Sequence, residues 1–251
     1  MDKLFGAISK LSSKPSNDFS RVYTSEKFVV DEVFGKRETV ITILAQTTDQ
    51  WKEFREQANN HRYLKVIAKQ GVLTDCRSMF EGCSNVQVLD LSELDVSSVD
   101  DMGLMFARCI QIQELDLSNW LTGNVTDMSG MFKKCIGLRV LKQYFTTLMV
   151  RDVSSMFESC ACLEDIGDIN RWAVGNLKLA DSMFEGCGAL QKIDIRDWML
   201  VNLISINRFC KGDMRLVRVF MPEDGPITSA QRSLMFEGCD ALSKEGLEKW
   251  L

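Results

Sequence analysis

Nine cysteines and one histidine, His61, are the residues of this chain best suited to metal or nucleophilic chemistry. Six of the cysteines, Cys83, Cys109, Cys135, Cys160, Cys187 and Cys239, each close the same signature, Met-Phe-x-x-Cys, as in Met79-Phe80-Glu81-Gly82-Cys83. A zinc site needs ligands that converge from close spacings such as Cys-x-x-Cys. Here one position recurs at long intervals, which makes a file of thiols, and cysteine packs as a small apolar group. Cys160 and Cys162 form a Cys-x-Cys pair, but only Cys160 holds the repeat position. Cys76 takes the slot of Met102 and Met128 and reads as core. A Cys–His or Ser–His–Asp set would have to run through His61. That residue follows Asn59-Asn60 at an expected helix end, where histidine is often exposed or stabilises the terminus. No Gly-x-Gly-x-x-Gly or P-loop pattern is present. We therefore expect no catalytic residue, no metal, no cofactor and no enzymatic activity.

The intervals carry more than the cysteines do. From Met79 the signature returns after 26, 26, 25 and 27 residues, then as a degenerate copy at Phe209-Cys210 and again at Met235, each 26 residues on. Periods of this size mean one structural unit stacked repeatedly. In the clearest unit, Leu115-Asp116-Leu117 alternates as a half-buried strand does. Ser118 to Asn124 is rich in turn formers. Val125, Met128, Met131, Phe132, Cys135 and Leu138 then follow at the spacing of one helix face. Each unit is thus expected to be a short strand, a turn and a short helix. Leu94, Trp120, Phe145, Trp172 and Trp198 form a second ladder, one large apolar residue per unit. The fold class expected is α/β: a right-handed solenoid of about seven repeats plus caps, with a parallel sheet of short strands.

Residues 1–24 read as a weakly ordered tail, with Leu4, Phe5, Ile8 and Leu11 at helical spacing. Residues 25–63 read as an N-terminal cap of strands and a helix, with Thr48 as helix cap. The repeats occupy 64–242, and 243–251 read as a capping helix begun by Ser243. The formal net charge of −5 argues against nucleic acid and against an anionic membrane surface. No apolar run is long enough to span a bilayer. The lack of a recognisable signal peptide, with nine cysteines that form no disulfide framework, points to reduced thiols in an intracellular setting: cytoplasm, host cytoplasm or virion.

The run Leu115-Asp116-Leu117-Ser118-Asn119-Trp120, followed by Asn124-Val125-Thr126-Asp127-Met128-Ser129-Gly130-Met131-Phe132, closely resembles the BspA-type branch of leucine-rich repeats. The resemblance covers about residues 64–242. It implies a leucine-rich-repeat-like solenoid used for protein binding or adhesion, of a kind found in bacteria, protists and large DNA viruses, so a virus-encoded origin is among the readings. Two units depart from the pattern: Lys142-Gln143-Tyr144 replaces Asp-Leu-Ser, and Met221 to Ser233, with Pro222 and Pro226, lacks the expected helical face.

Function is expected on the outward strand positions. These read Val88, Asp90, Ser92; Glu114, Asp116, Ser118; Val140, Lys142, Tyr144; Lys192, Asp194, Arg196; and Arg218, Phe220, Pro222. The face should be acidic at its N-terminal end and basic and aromatic at its C-terminal end. Exposed aromatics beside arginine favour interfaces. The partner-binding residues expected are Lys142, Tyr144, Lys192, Asp194, Arg196, Arg218 and Phe220, and the partner a protein. The alternative is a structural, self-associating scaffold or particle component.

Overall fold

A computed structural model describes residues 19–33, 38–46, 51–222, 227, 231 and 234–242. Short runs of alternating apolar residues become strands. β1 (Phe19–Thr24), β2 (Phe28–Val33) and β3 (Thr39–Ile43) form an antiparallel meander. Helix α1 (Lys52–Ala58) then crosses back to β4 (Tyr63–Ala68), which pairs with β3 in parallel, and β5 (Val88–Asp90) continues the parallel order. The five strands lie in the order β1-β2-β3-β4-β5. β6 (Glu114–Leu117) pairs with β7 (Val140–Gln143), and β8 (Lys192–Asp194) with β9 (Arg218–Phe220), again in parallel. The coil between β7 and β8 carries no strand and joins the stack by a bridge from Val140 to Asp165.

The short helices expected in the repeats do not form between Tyr63 and Pro222. Between Tyr63 and Pro222 the sole helical piece is a 3₁₀ turn at Ile169–Arg171. The Met-Phe-x-x-Cys segments are instead runs of tight turns whose amides alternate in purpose. Met105, Ala107 and Cys109 donate back three residues, to Met102, Leu104 and Phe106, at 3.0–3.2 Å. Met102, Leu104, Phe106 and Arg108 donate to the next coil, to Asp127, Ser129, Met131 and Lys133, at 2.8–2.9 Å. In each segment two residues four apart are left-handed: Leu104 (φ 58°) and Arg108 (64°), and likewise Ser78 and Gly82, Gly130 and Lys134, Ser155 and Ser159, Ser182 and Gly186. A helix would satisfy its amides internally and leave none to hold one coil to the next. The turns give the same apolar spacing, which is why the sequence imitates a helix.

The apolar side of this ladder is a column. Phe80, Phe106, Phe132, Phe157 and Phe184 stack at 5.3–5.4 Å with planes within 8° of parallel. All are buried. The column ends edge-on, against Phe54 of α1 at one end and Phe209 at the other. Trp172 stacks on Trp198 at 6.0 Å, in the second ladder. The cysteines are core and more than filler. Cys109, Cys135, Cys160 and Cys187 each donate their thiol to the phenylalanine carbonyl of the preceding coil, at 3.0–3.1 Å. Burial pushes the Cys83 and Cys135 thiols up to about 12, so they remain protonated at neutral pH. Asn124, Asn176 and Asn202 add side-chain bonds of 2.7–2.8 Å to carbonyls one coil back.

At the N-terminal end Trp51, Phe54 and Ala58 of the α1 region are buried under the sheet. His61 is half-buried, with Nδ1 2.9 Å from the Thr39 hydroxyl, so it ties the helix exit to β3. The expected cap at Thr48, most of the tail, and the helix over 243–251 lie outside the described residues.

Two outcomes are expected. In a helix interior, Lys134→Gly would cost about 1 kcal/mol. At its left-handed position (φ 61°) the substitution should be neutral or stabilising by up to about 1 kcal/mol in urea unfolding. Second, a thiol reagent at neutral pH should modify one cysteine rapidly, the exposed Cys162, and the remaining eight only after denaturation.

Candidate interaction surface

Alternation along each strand sends one side chain inward and the next outward. In β7, Leu141 and Gln143 are buried while Lys142 projects, as does Tyr144 just beyond the strand, which is 78% exposed. In β8 and β9, Ile193 and Val219 are buried and Lys192 and Arg218 project, opposite one another in register. Of the seven residues expected to bind, five come together here and two stand apart. Lys192, Asp194, Arg218 and Phe220 lie on the adjoining β8 and β9, and Arg196 just past the end of β8. Lys142 and Tyr144 lie across the strandless coil that contains Asp165 and Gly167.

Four of them, Lys192, Asp194, Arg196 and Phe220, form a braced cluster, and Arg218 stands beside it in register with Lys192. Arg196 grips Asp194 with two nitrogens, both at 2.9 Å, and Lys192 reaches the same carboxylate at 3.3 Å. Both cations lie over the Phe220 ring, at 4.8 Å for Arg196 and 5.1 Å for Lys192. Burial pushes the Asp194 carboxyl up, but the bonds from Arg196 and Lys192 outweigh it and hold it below the usual range. Asp194 therefore acts inside the cluster, as the anion that orders two cations. Phe220 is half-buried, because the cations cover part of it. Pro222, expected outward, is buried.

The opposite end of the face is acidic. Lys65 bonds Glu93 at 2.6 Å and lies 3.5 Å from Asp90; Asp116 accepts from the Ser118 hydroxyl at 2.6 Å and lies 3.7 Å from Lys142. A groove of about 570 Å³ beside it is lined by Ala68, Ser92, Val96 and Leu121, among others. Its carboxylates are already engaged: Glu93 by Lys65 and Asp95 by Ser97 at 2.6 Å. Among the described residues no group of three or more His, Cys, Asp and Glu is placed to hold a metal ion, and no helix is long and apolar enough to cross a membrane.

Gln143 is the residue that sequence reasoning passed over. It stands where Leu91, Leu117 and Ile195 lie buried in other coils, and both its amide oxygen and its amide nitrogen are bonded. Its oxygen accepts from the Phe145 amide (2.9 Å) and the Trp172 indole (3.3 Å), and its nitrogen donates to the Ile166 carbonyl (3.1 Å). The altered triplet Lys142-Gln143-Tyr144 is thus a polar staple that fixes β7 to the coil above. The signal was a polar residue at an inward strand position.

Residues 52–165 and 141–218 match the family described as Mycoplasma protein of unknown function, DUF285. These segments cover more than half of the chain, and the protein belongs to that family. No curated protein matches the sequence. Among solved structures, the chain is similar to a leucine-rich repeat protein from Bacteroides ovatus, at 13% identity and a TM-score of 0.26, over 92% of this chain and 81% of that one.

Replacing Gln143 by leucine, the residue type of the regular coils, strands the Trp172 indole and the Ile166 carbonyl. We expect a loss of about 1–3 kcal/mol in chemical denaturation, although the change adds apolar surface.

Proposed function

We propose that this protein is a non-enzymatic interaction module. It binds a protein partner through the outward strand face, with Lys142, Tyr144, Lys192, Arg196, Arg218 and Phe220 as contacts and Asp194 as the brace. The reading is supported above all by the Phe220 ring held under Arg196 and Lys192, a patch whose ordering is largely complete before a partner arrives. The seven positions hold four cations against one carboxylate, so the matching partner surface is acidic with an apolar centre. The same reading places the protein with the BspA-type leucine-rich repeats, in an intracellular or virion setting, with no cofactor, no nucleic-acid ligand and no catalysis. The binding role follows the repeat architecture rather than any observed complex, because fold alone does not specify function. The experiment is affinity capture from the native source with the wild-type protein and with the combined variant Tyr144→Ala, Arg196→Ala, Arg218→Ala. Loss of a wild-type partner from the variant supports the face; an unchanged set of partners refutes it.

A second reading, a self-associating scaffold or particle component, is favoured by a different observation. Leu148, Met149, Met199, Val201 and Ile204 lie 42–76% exposed along the edge that follows the aromatic ladder. Sedimentation velocity over a hundredfold range of concentration decides it: a rising sedimentation coefficient supports self-assembly, and a constant monomer value removes it.

A further inference from the structure

One carboxylate interrupts the thiol file. Phe184 donates to the Phe209 carbonyl (2.7 Å) and Gly186 to that of Lys211 (2.9 Å), which places Asp213 in line with Cys187. Cys210 and Gly212 donate onward to Met235 and Glu237, both at 2.9 Å, which brings Cys239 into the same line. On either side of Asp213 the thiol does its usual work: Cys187 donates to the Phe157 carbonyl at 3.1 Å and Cys239 to that of Cys210 at 2.8 Å. Asp213 is wholly buried, and neither of its carboxyl oxygens meets a donor. The register-equivalent acceptor in the preceding coil is the Phe184 carbonyl.

We propose that Asp213 is carried in the core as a neutral carboxylic acid that donates its proton to the Phe184 carbonyl, as the thiols do in other coils, and that its ionisation loosens the coil bearing β9. Among the described residues, the groups that face it are the thiols of Cys187, Cys210 and Cys239 and the carboxylate of Glu185, with no cation among them. The nearby amides of Gly186 and Cys187 are already committed to the Lys211 and Phe184 carbonyls. An anion at this position faces only those two committed amides, whereas the acid supplies the proton that the register-equivalent thiol gives in other coils. Burial raises the carboxyl to about 8, with those amides tempering the rise and Glu185 adding to it. In the unfolded chain the same carboxyl ionises near 3.8. Between those values the folded state keeps a proton that the open state releases. Stability therefore falls as pH rises from about 4 to about 8, by up to about tenfold per pH unit in the opening equilibrium, and levels off above. The coil affected carries Leu216, Val219 and, on β9, Arg218 and Phe220.

Hydrogen exchange read by mass spectrometry on peptides spanning 209–221 and 79–91, corrected for intrinsic rates, tests this between pH 6 and 7.5. In the full-length wild type the opening constant of 209–221 should rise about tenfold or more relative to 79–91. Asp213→Cys, which restores the repeat thiol, and Asp213→Asn, which is neutral and can donate, should each abolish that excess. If Asp213→Asn does not fold, Asp213→Cys alone decides. A wild type with no pH-dependent excess, or variants that retain it, would overturn the proposal.

Discussion

The structure depends on how the backbone divides its hydrogen bonds. A single 26-residue coil cannot bury its own apolar face, so it is stable only against its neighbours. Tight turns solve the division: every second amide closes its own turn, and the alternate amides bind the next coil. The condition is a pair of left-handed residues four apart in each turn segment, and most of these positions carry side chains rather than glycine. Each such residue costs about 1–2 kcal/mol in isolation. At Leu104 and Arg108 the cost is offset by inter-coil bonds of 2.8 Å made by those same residues. The phenylalanine column and the thiol bonds sit behind this ladder and complete it. The thiol explains why the signature ends in cysteine: it fills a small apolar space and adds a donor for a carbonyl that has a lone pair to spare.

Much of this was legible in the sequence, and the rest was hidden for physical reasons. Period, register, the buried phenylalanines and the second aromatic ladder all follow from apolar spacing. The helices did not form because a stripe of Met128, Met131, Phe132 and Cys135 fits a run of four-residue turns as well as it fits a 3.6-residue helix. Apolar spacing reports which residues share a side; it does not report where their amides go. The outward strand positions were readable from alternation alone, apart from Pro222. The bracing of Phe220 by Arg196 and Lys192 was not, because it joins side chains some 24–28 residues apart across two coils. Asp194 was read as a contact, and alternation alone did not reveal its bonds to Arg196 and Lys192.

Departures from the repeat fall beside the surface proposed to bind a partner. Gln143 breaks the apolar rule directly beneath Lys142 and Tyr144. Phe209, Cys210 and Asp213 break the signature in the coil that leads into Arg218 and Phe220. Both departures place polar groups where regular coils have apolar or thiol ones, and both adjoin the segments with the exposed cationic and aromatic side chains. Sites where local rules fail are where function and its control tend to reside. The strandless coil that contains Asp165 and Gly167 lies between these two segments.

The division of backbone bonds can be observed directly. Scalar couplings across hydrogen bonds, recorded by long-range HNCO on deuterated protein, link each amide nitrogen to the carbonyl carbon that accepts it. The account predicts correlations from the Phe80, Phe106 and Phe132 amides to the carbonyls of Met105, Met131 and Met156 in the following coil. Correlations to Cys76, Met102 and Met128, four residues back within the same coil, would mean helices and would contradict it.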